Sequence, residues 1–222
     1  QQFGRGQARR NSRGFSTENL KTIQKKFDSG FAQQYTATLK VKAIKLINEG
    51  KLSQAAKIYE HLIKSGEKDH INHCNLAALY GREGRLDASI NHLKESLSLN
   101  PHYIDAHINL GLALEMQGDP TAAINSYKTA LQLNSNNPFA YNSLGNVLKE
   151  KGDLEAALTA YTRALELKQD YPDAQWNCAR LMLLMGNYKN GLEKYEWRSK
   201  QELRPAQPHA NPQCTQWDGS IS

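Results

Sequence analysis

Apolar side chains recur at helical spacing along most of this chain, and the pattern itself repeats. Five segments superimpose without a gap, namely KLSQAAKIYEHLI, RLDASINHLKESL, DPTAAINSYKTAL, DLEAALTAYTRAL and NYKNGLEKYEWRS. Each follows one of five glycines that lie 34 residues apart: Gly50, Gly84, Gly118, Gly152 and Gly186. Because the apolar positions are three or four residues apart, each segment predicts an amphipathic helix. The 34-residue period predicts a stack of helical hairpins.

Small and large side chains alternate in a fixed way around each glycine. Five residues after the glycine stands a small residue, namely Ala55, Ser89, Ala123, Ala157 or Gly191. Four residues further on stands a large one, namely Tyr59, Leu93, Tyr127, Tyr161 or Tyr195. Seven residues before the glycine, in the predicted first helix of the hairpin, another small residue recurs: Ala43, Ala77, Gly111, Gly145 or Ala179. Small residues let helices approach closely and large ones fill the remaining gap, so we expect every hairpin to pack on its neighbours.

The sequences DAHINLG (105–111) and FAYNSLG (139–145), with Pro101 at a helix-ending position, resemble tetratricopeptide (TPR) repeats. About five such repeats fit between residues 36 and 203. The resemblance implies an all-α, right-handed superhelical solenoid in which the first helix of each hairpin lines a concave groove. The first repeat departs from the pattern, because Lys42 stands where a buried leucine is usual. We therefore expect the first repeat to act as a capping unit.

Composition divides the chain into four regions. Residues 1–15 are rich in glycine, arginine and glutamine and predict a disordered basic tail, whereas residues 16–35 predict a capping helix with Ser16 or Thr17 as N-cap. The repeats are predicted at 36–69, 70–103, 104–137, 138–171 and 172–203. Three prolines, Pro205, Pro208 and Pro212, predict an irregular tail or linker over residues 204–222.

The charge of the chain is concentrated at its beginning. Residues 1–30 hold seven Lys or Arg and two Asp or Glu, so they carry +5 of the total net charge of +6. The repeats are therefore nearly neutral, which argues against a solenoid that binds nucleic acid along its groove. The arginine-glycine elements of the tail leave RNA contact as the alternative to a solvated tail. There is neither a membrane-spanning run nor a secretory signal pattern, and we expect a cytoplasmic protein whose three cysteines, Cys74, Cys178 and Cys214, are reduced.

An asparagine recurs on the predicted first helices at Asn75, Asn109 and Asn177, with Ser143 in the fourth repeat. This series is similar to the asparagine ladder in the repeats of O-linked N-acetylglucosamine transferases, which holds protein substrates by their backbone. An asparagine amide offers both a donor and an acceptor, which suits a peptide group. The alternatives to binding an extended ligand remain open: the asparagines are tolerated on a solvated helix face, or they form hydrogen bonds to the adjacent hairpin.

Residues beside this series change along the groove, from apolar to polar. Cys74 and Ala78 in the second repeat correspond to Ile108 and Leu112, then to Asn142 and Asn146, then to Trp176 and Arg180. With Lys149, these residues predict an apolar floor followed by an amide-rich and cationic stretch. Trp176 is the predicted hot spot, with packing against the next helix as the alternative. The lysine and asparagine clamp of chaperone-binding TPR proteins is not matched, because Cys74 and Ala78 occupy its first positions.

No catalytic constellation is recognisable, so we predict no enzyme activity, cofactor or metal in this chain. His73 and His107 are equivalent positions of two repeats and predict structural roles. The predicted function is binding of a protein or peptide in the concave groove. The alternative is the substrate-presenting arm of a larger glycosyltransferase-like enzyme, because YEWRS (195–199) and WDG (217–219) resemble the junction of bacterial TPR–glycosyltransferase proteins. A third hypothesis is self-association through end repeats, where Tyr188, Leu192, Tyr195 and Trp197 are apolar.

Overall fold

The computed structural model describes residues 17–67 and 69–196, together with the side chains of residues 30–67 and 69–195. This part of the chain forms ten α-helices paired into five hairpins. The helices are α1 (Thr17–Asn48), α2 (Leu52–Lys64), α3 (His70–Arg82), α4 (Leu86–Leu99), α5 (Ile104–Gln117), α6 (Pro120–Leu133), α7 (Pro138–Glu150), α8 (Leu154–Leu167), α9 (Pro172–Leu184) and α10 (Tyr188–Glu196). The prediction of an all-α solenoid of five hairpins is confirmed.

The first helix is longer than the sequence pattern suggested. Helix α1 spans 32 residues and passes without a break through positions 35 and 36, where the pattern placed the end of the capping helix. The stretch QQYTATLK around these positions contains neither glycine nor proline, so nothing there ends a helix. The predicted tail at 1–15 and the predicted linker at 204–222 lie outside the described residues.

A glycine and an aspartate close the hairpins of the third and fourth repeats. Gly118 ends α5 with φ of 87°, a left-handed conformation that side chains other than glycine adopt only with strain. The next residue, Asp119, then accepts a hydrogen bond of 3.0 Å from the Ala122 backbone nitrogen and caps α6. Asp153 caps α8 in the same way at 3.3 Å. The five repeated glycines all have positive φ, so the 34-residue period marks the turn between two helices.

Tyrosine rings fill the space that glycines leave between the paired helices. A Cβ atom added to Gly111 would lie 2.6 Å from the ring of Tyr127, and one added to Gly145 would lie 2.6 Å from the ring of Tyr161. Both tyrosines are fully buried. The predicted pairing of small and large residues thus sets the spacing of these helices.

Contacts between neighbouring hairpins identify the inner side of the solenoid. The first helices touch one another, since α3 contacts α5, α5 contacts α7 and α7 contacts α9. Among the described helices, no second helix contacts the second helix of a neighbouring hairpin. First helices are therefore more closely spaced, and a stack of this kind curves towards them. The concave surface is formed by α3, α5, α7 and α9.

Candidate functional site

The asparagine series lies on the first helices, and each member bonds to the preceding hairpin. The Nδ2 atom of Asn75 donates to the Tyr59 hydroxyl at 3.2 Å, and that of Asn109 donates to the Cys74 Sγ atom at 3.3 Å. The Nδ2 atom of Asn177 donates to the side-chain oxygens of Asn142 at 3.1 Å and Asn146 at 3.0 Å. The Nδ2 group of each of these asparagines therefore ties two repeats together, which is the structural role that the sequence had left open.

In the fourth and fifth repeats these bonds form a network that orients one amide. We call Asn142, Asn146, Tyr161 and Asn177 the amide network. The Tyr161 hydroxyl donates to Asn146 Oδ1 at 2.8 Å, so this oxygen accepts from Tyr161 and Asn177 together. Burial raises the pKa of the Tyr161 hydroxyl, which therefore stays protonated and remains a donor. Because both donors reach Asn146 Oδ1, its Nδ2 group is turned away from the network.

The apolar part of the groove differs from the predicted one. Ile108 is only 6 % exposed and packs in the core with Ala123 and Tyr127, so its expected place in an exposed apolar floor is corrected. Leu112 is 39 % exposed, as a floor residue would be, and Met116, one turn later, is 54 % exposed. Cys74 and Asn142 precede the asparagine series in the same way and are also buried, at 2 % and 6 % exposed.

Three exposed apolar residues of α3, α5 and α7 were not among the residues that the sequence pattern predicted for the groove. They are Ile71 at 41 %, Met116 at 54 % and Phe139 at 47 % exposed. Ile71 and Phe139 occupy the same position two repeats apart, near the start of α3 and α7. The repeat alignment contains this signal, because both positions lie one helical turn before Asn75 or Ser143.

Cationic and aromatic side chains meet on α9. The Arg180 guanidinium lies 5.7 Å from the centre of the Trp176 ring, and this ring lies 5.1 Å from that of Tyr195 on α10. Trp176 is half-buried and Arg180 is exposed. Trp176 therefore contacts the next helix through Tyr195, as the alternative interpretation of this residue predicted. Arg180 covers one part of the indole and remains open to a ligand.

A carboxylate that the sequence did not single out lies in the middle of the groove. The Tyr127 hydroxyl donates to Glu115 Oε2 at 2.9 Å. Burial raises the pKa of the Glu115 carboxyl, and the bond from Tyr127 and the charge of Lys149 oppose this rise. Lys149 is half-buried in the next repeat, at the position equivalent to Glu115. The groove therefore presents both signs of charge, one repeat apart.

Other titratable groups show no arrangement for catalysis in the part of the chain that the structure describes. No group of three or more His, Cys, Asp or Glu there could hold a metal ion. His73 and His92 face each other with their Nδ1 atoms 3.1 Å apart. Burial raises the pKa of the Cys74 thiol to about 11, so it stays protonated. Among the described helices, none has the length and apolar content needed to cross a membrane.

Ten stacked helices with a concave inner face define the class of helical-repeat solenoids. A family profile described as TPR repeat matches residues 80–118, 116–152 and 145–186. Residues 80–186 are therefore tetratricopeptide repeats, as the sequence motifs predicted. No curated protein sequence matches this chain.

Solved structures agree with this fold. A crystal structure of MamA is 25 % identical, with a TM-score of 0.62, and the match covers 71 % of this chain and 96 % of that one. The thermophilic TPR protein TTC0263 of Thermus thermophilus is 20 % identical, with a TM-score of 0.64, and the match covers 75 % of this chain and 91 % of that one. The pilF protein of Pseudomonas aeruginosa is 15 % identical, with a TM-score of 0.71, and the match covers 78 % of this chain and 79 % of that one. At the lower identities the likeness concerns the fold alone.

Proposed function

We propose that this chain is a protein-interaction module that binds an extended segment of another protein in its concave groove. The amide network carries the proposal. Within the described residues, Asn177 Oδ1 accepts no hydrogen bond and Asn146 Nδ2 donates none. One fixed donor and one fixed acceptor on neighbouring repeats match the two polar groups of a peptide unit.

Side chains around the amide network would select the ligand. Leu112 and Met116 on the third repeat and Phe139 on the fourth expose apolar surface, and Lys149 and Arg180 supply positive charge. An extended ligand with apolar side chains followed by an acidic one would suit this order. Preorganised polar groups contribute more to affinity than mobile ones, because no ordering cost arises on binding.

The test uses Asn146→Asp, which leaves an oxygen for Tyr161 and Asn177 and replaces the free Nδ2 donor with a charged oxygen. Peptides would be selected on the unmodified chain from a random dodecapeptide display library, and their dissociation constants measured by fluorescence polarisation. We expect Asn146→Asp to weaken the selected peptides by about tenfold or more, which corresponds to the loss of one buried hydrogen bond with an unpaired partner. The control Asn125→Asp adds the same charge on the exposed side of α6 and is expected to leave binding unchanged.

Two results would contradict the proposal. One is a library that yields no peptide dependent on the groove, and the other is equal affinity for both aspartate variants. The triple alanine variant of Asn75, Asn109 and Asn177 complements the test. It removes hydrogen bonds at three of the four boundaries between repeats. Its binding is therefore compared at a temperature at which its circular dichroism equals that of the unmodified chain.

A second candidate function keeps the same groove. The sequences YEWRS (195–199) and WDG (217–219) favour a substrate-presenting arm of a larger glycosyltransferase-like enzyme. The groove would then hold the acceptor protein for a catalytic domain encoded beyond Ser222. Reading the source gene past this codon tests the candidate, because a stop codon close behind it would remove it.

A further inference from the structure

A second concavity lies on the other side of the fourth hairpin. It has a volume of about 800 Å³ and is formed by α7 and α8. Its lining includes Tyr141, Leu144, Leu148, Ala156, Ala160 and Arg163. We call it the outer pocket. At 100° per residue, Tyr141, Leu144 and Leu148 lie on the side of α7 opposite to Asn142, Asn146 and Lys149, so the outer pocket is separate from the concave groove.

The same place in the second hairpin is filled by the chain itself. Two periods, or 68 residues, separate His92 from Ala160 and His73 from Tyr141. The ring centre of His92 lies 5.3 Å from that of His73 and 5.7 Å from that of Tyr80. The His92 Nδ1 atom also shares a hydrogen bond of 3.1 Å with His73 Nδ1. An imidazole ring therefore occupies, in the second repeat, the space that the Ala160 methyl group leaves open in the fourth.

We propose that the outer pocket is a second docking site for a partner protein and that it takes a planar side chain, aromatic or imidazole, from this partner. The second hairpin indicates the shape of the ligand, because the place equivalent to the outer pocket is occupied there by the planar His92 ring. Ring centres at 4.5 to 7 Å are the usual distance of stabilising aromatic pairs. Tyr141, which lines the outer pocket, is the residue equivalent to His73. The site is independent of the concave groove and of the function proposed for that groove.

The rim of the outer pocket suits the polar part of such a partner. Arg163 Nη1 donates to Glu166 Oε2 at 2.7 Å, and both side chains are exposed. Thr159 and Thr162 add hydroxyl groups beside the apolar floor. An apolar centre surrounded by a polar rim is the usual construction of a binding hot spot. A ring inserted at Ala160 would leave the partner's backbone within reach of these groups.

The experiment exchanges the residues at the equivalent positions 92 and 160 of the second and fourth hairpins. In the full chain, Ala160→His would place in the fourth hairpin the ring that fills the second, and His92→Ala would open the second hairpin. The probes are N-acetyl-tyrosinamide, N-acetyl-histidinamide and, as the aliphatic comparator, N-acetyl-leucinamide. Binding is followed by NMR of chain samples with labelled alanine methyl groups, because Ala156 lines the outer pocket and Ala88 is its equivalent in the second hairpin.

In the unmodified chain we expect the two planar probes to shift the Ala156 signal and the leucine probe to bind at least about threefold more weakly. Ala160→His should weaken the planar probes about tenfold or more at Ala156. His92→Ala should create a new shift at Ala88, and this second variant keeps the test valid if Ala160→His fails to fold. Planar probes that leave Ala156 unshifted in the unmodified chain, or shift it equally in folded Ala160→His, would overturn the proposal.

Discussion

The second and fourth hairpins have the same backbone plan and are filled in two different ways. In the second, Ala77 on α3 faces a leucine, Leu93, on α4; in the fourth, Gly145 on α7 faces Tyr161 on α8. Both large side chains are fully buried. The second hairpin thus pairs a leucine with an alanine, whereas the fourth pairs a tyrosine with a glycine, which has no side chain. The two hairpins therefore fill the space between their paired helices with different combinations of side chains.

The difference decides what each hairpin offers on its two surfaces. The Tyr161 ring reaches past Gly145, so its hydroxyl can donate to Asn146 on the concave side. Leu93 has no such group, and the described part of the second hairpin has no equivalent network. On the outer side, the His92 ring occupies a space in the second hairpin, and the equivalent space beside Ala160 in the fourth hairpin is the open outer pocket. The features on which both proposals rest therefore lie mainly in the fourth hairpin.

Gly145→Ala should give the largest loss of stability in this comparison. The new methyl group would lie 2.6 Å from the Tyr161 ring, and this ring is fully buried and has no room to retreat. We expect the free energy of unfolding to fall by about 1 to 3 kcal/mol, since overpacking outweighs the gain in helix propensity. Urea denaturation followed by circular dichroism measures the change. Unaltered stability would mean that the two helices are not held at the distance described here.

Gly81→Ala is the matched control, because it makes the same substitution inside α3 where space is available. A methyl group there would meet Ser89 Oγ at 3.5 Å, an ordinary contact. We expect a gain of about 0.5 to 1 kcal/mol. The double variant Gly145→Ala with Tyr161→Leu copies the filling of the second hairpin and should recover most of the loss. It should nevertheless bind concave-groove peptides weakly, because the hydroxyl that orients Asn146 is gone.

Asn72→Ala should stabilise the second hairpin by about 1 kcal/mol, the cost of a buried polar group without a partner. Asn72 is fully buried, and among the described residues nothing bonds to its Oδ1 atom. The equivalent positions of the next three repeats are alanines, namely Ala106, Ala140 and Ala174. The variant therefore makes the second hairpin more like the fourth. Thermal unfolding measures the effect, and a lowered midpoint would mean that the 3.4 Å bond from Asn72 to Glu67 contributes more than the unpaired oxygen costs.

Acid should weaken the second hairpin more than the fourth, and this is the smallest effect. Burial lowers the pKa of both His73 and His92, and each is lowered against the opposing charge of Glu95. Because the folded state favours neutral rings, their contribution is present above the ordinary histidine pKa and is lost as the pH falls through the lowered value. Asp69 also favours the charged form of His73, and Glu60 favours that of His92. The charges of Arg85 and His73 disfavour the charged form of His92.

His92→Ser tests this sign, because the third repeat has Ser126 at the same position. The unfolding midpoint should fall between about pH 7.5 and about pH 5.5 in the unmodified chain and fall less in the variant. His61→Gln removes an exposed histidine from α2 and should keep the full dependence. An equal dependence in all three chains would remove the histidine pair as its cause.

Much of the solenoid could be predicted from sequence because its contacts are local. The glycine at each turn and the small and large positions recur in register, and each hairpin packs only on its neighbours. The continuity of α1 was harder to predict, because the repeat pattern contains no information on residues that precede it. The groove was only partly predictable: a recurring position indicates a helix face, but the neighbouring hairpin decides whether that face is open, as buried Ile108 and exposed Met116 show.

The sequence by itself determined the hairpin, its period and the helices that line the groove, since turn chemistry and helical spacing act within one repeat. Only the tertiary structure decided which side chains remain available. The asparagines bond across the boundary between repeats, and half-buried Glu115 accepts a hydrogen bond from Tyr127 on the paired helix. The outer pocket exists because Ala160 packs where another repeat has a ring. Each of these features depends on residues about 12 to 35 positions apart along the chain, and such distances become contacts only when the hairpins close and stack.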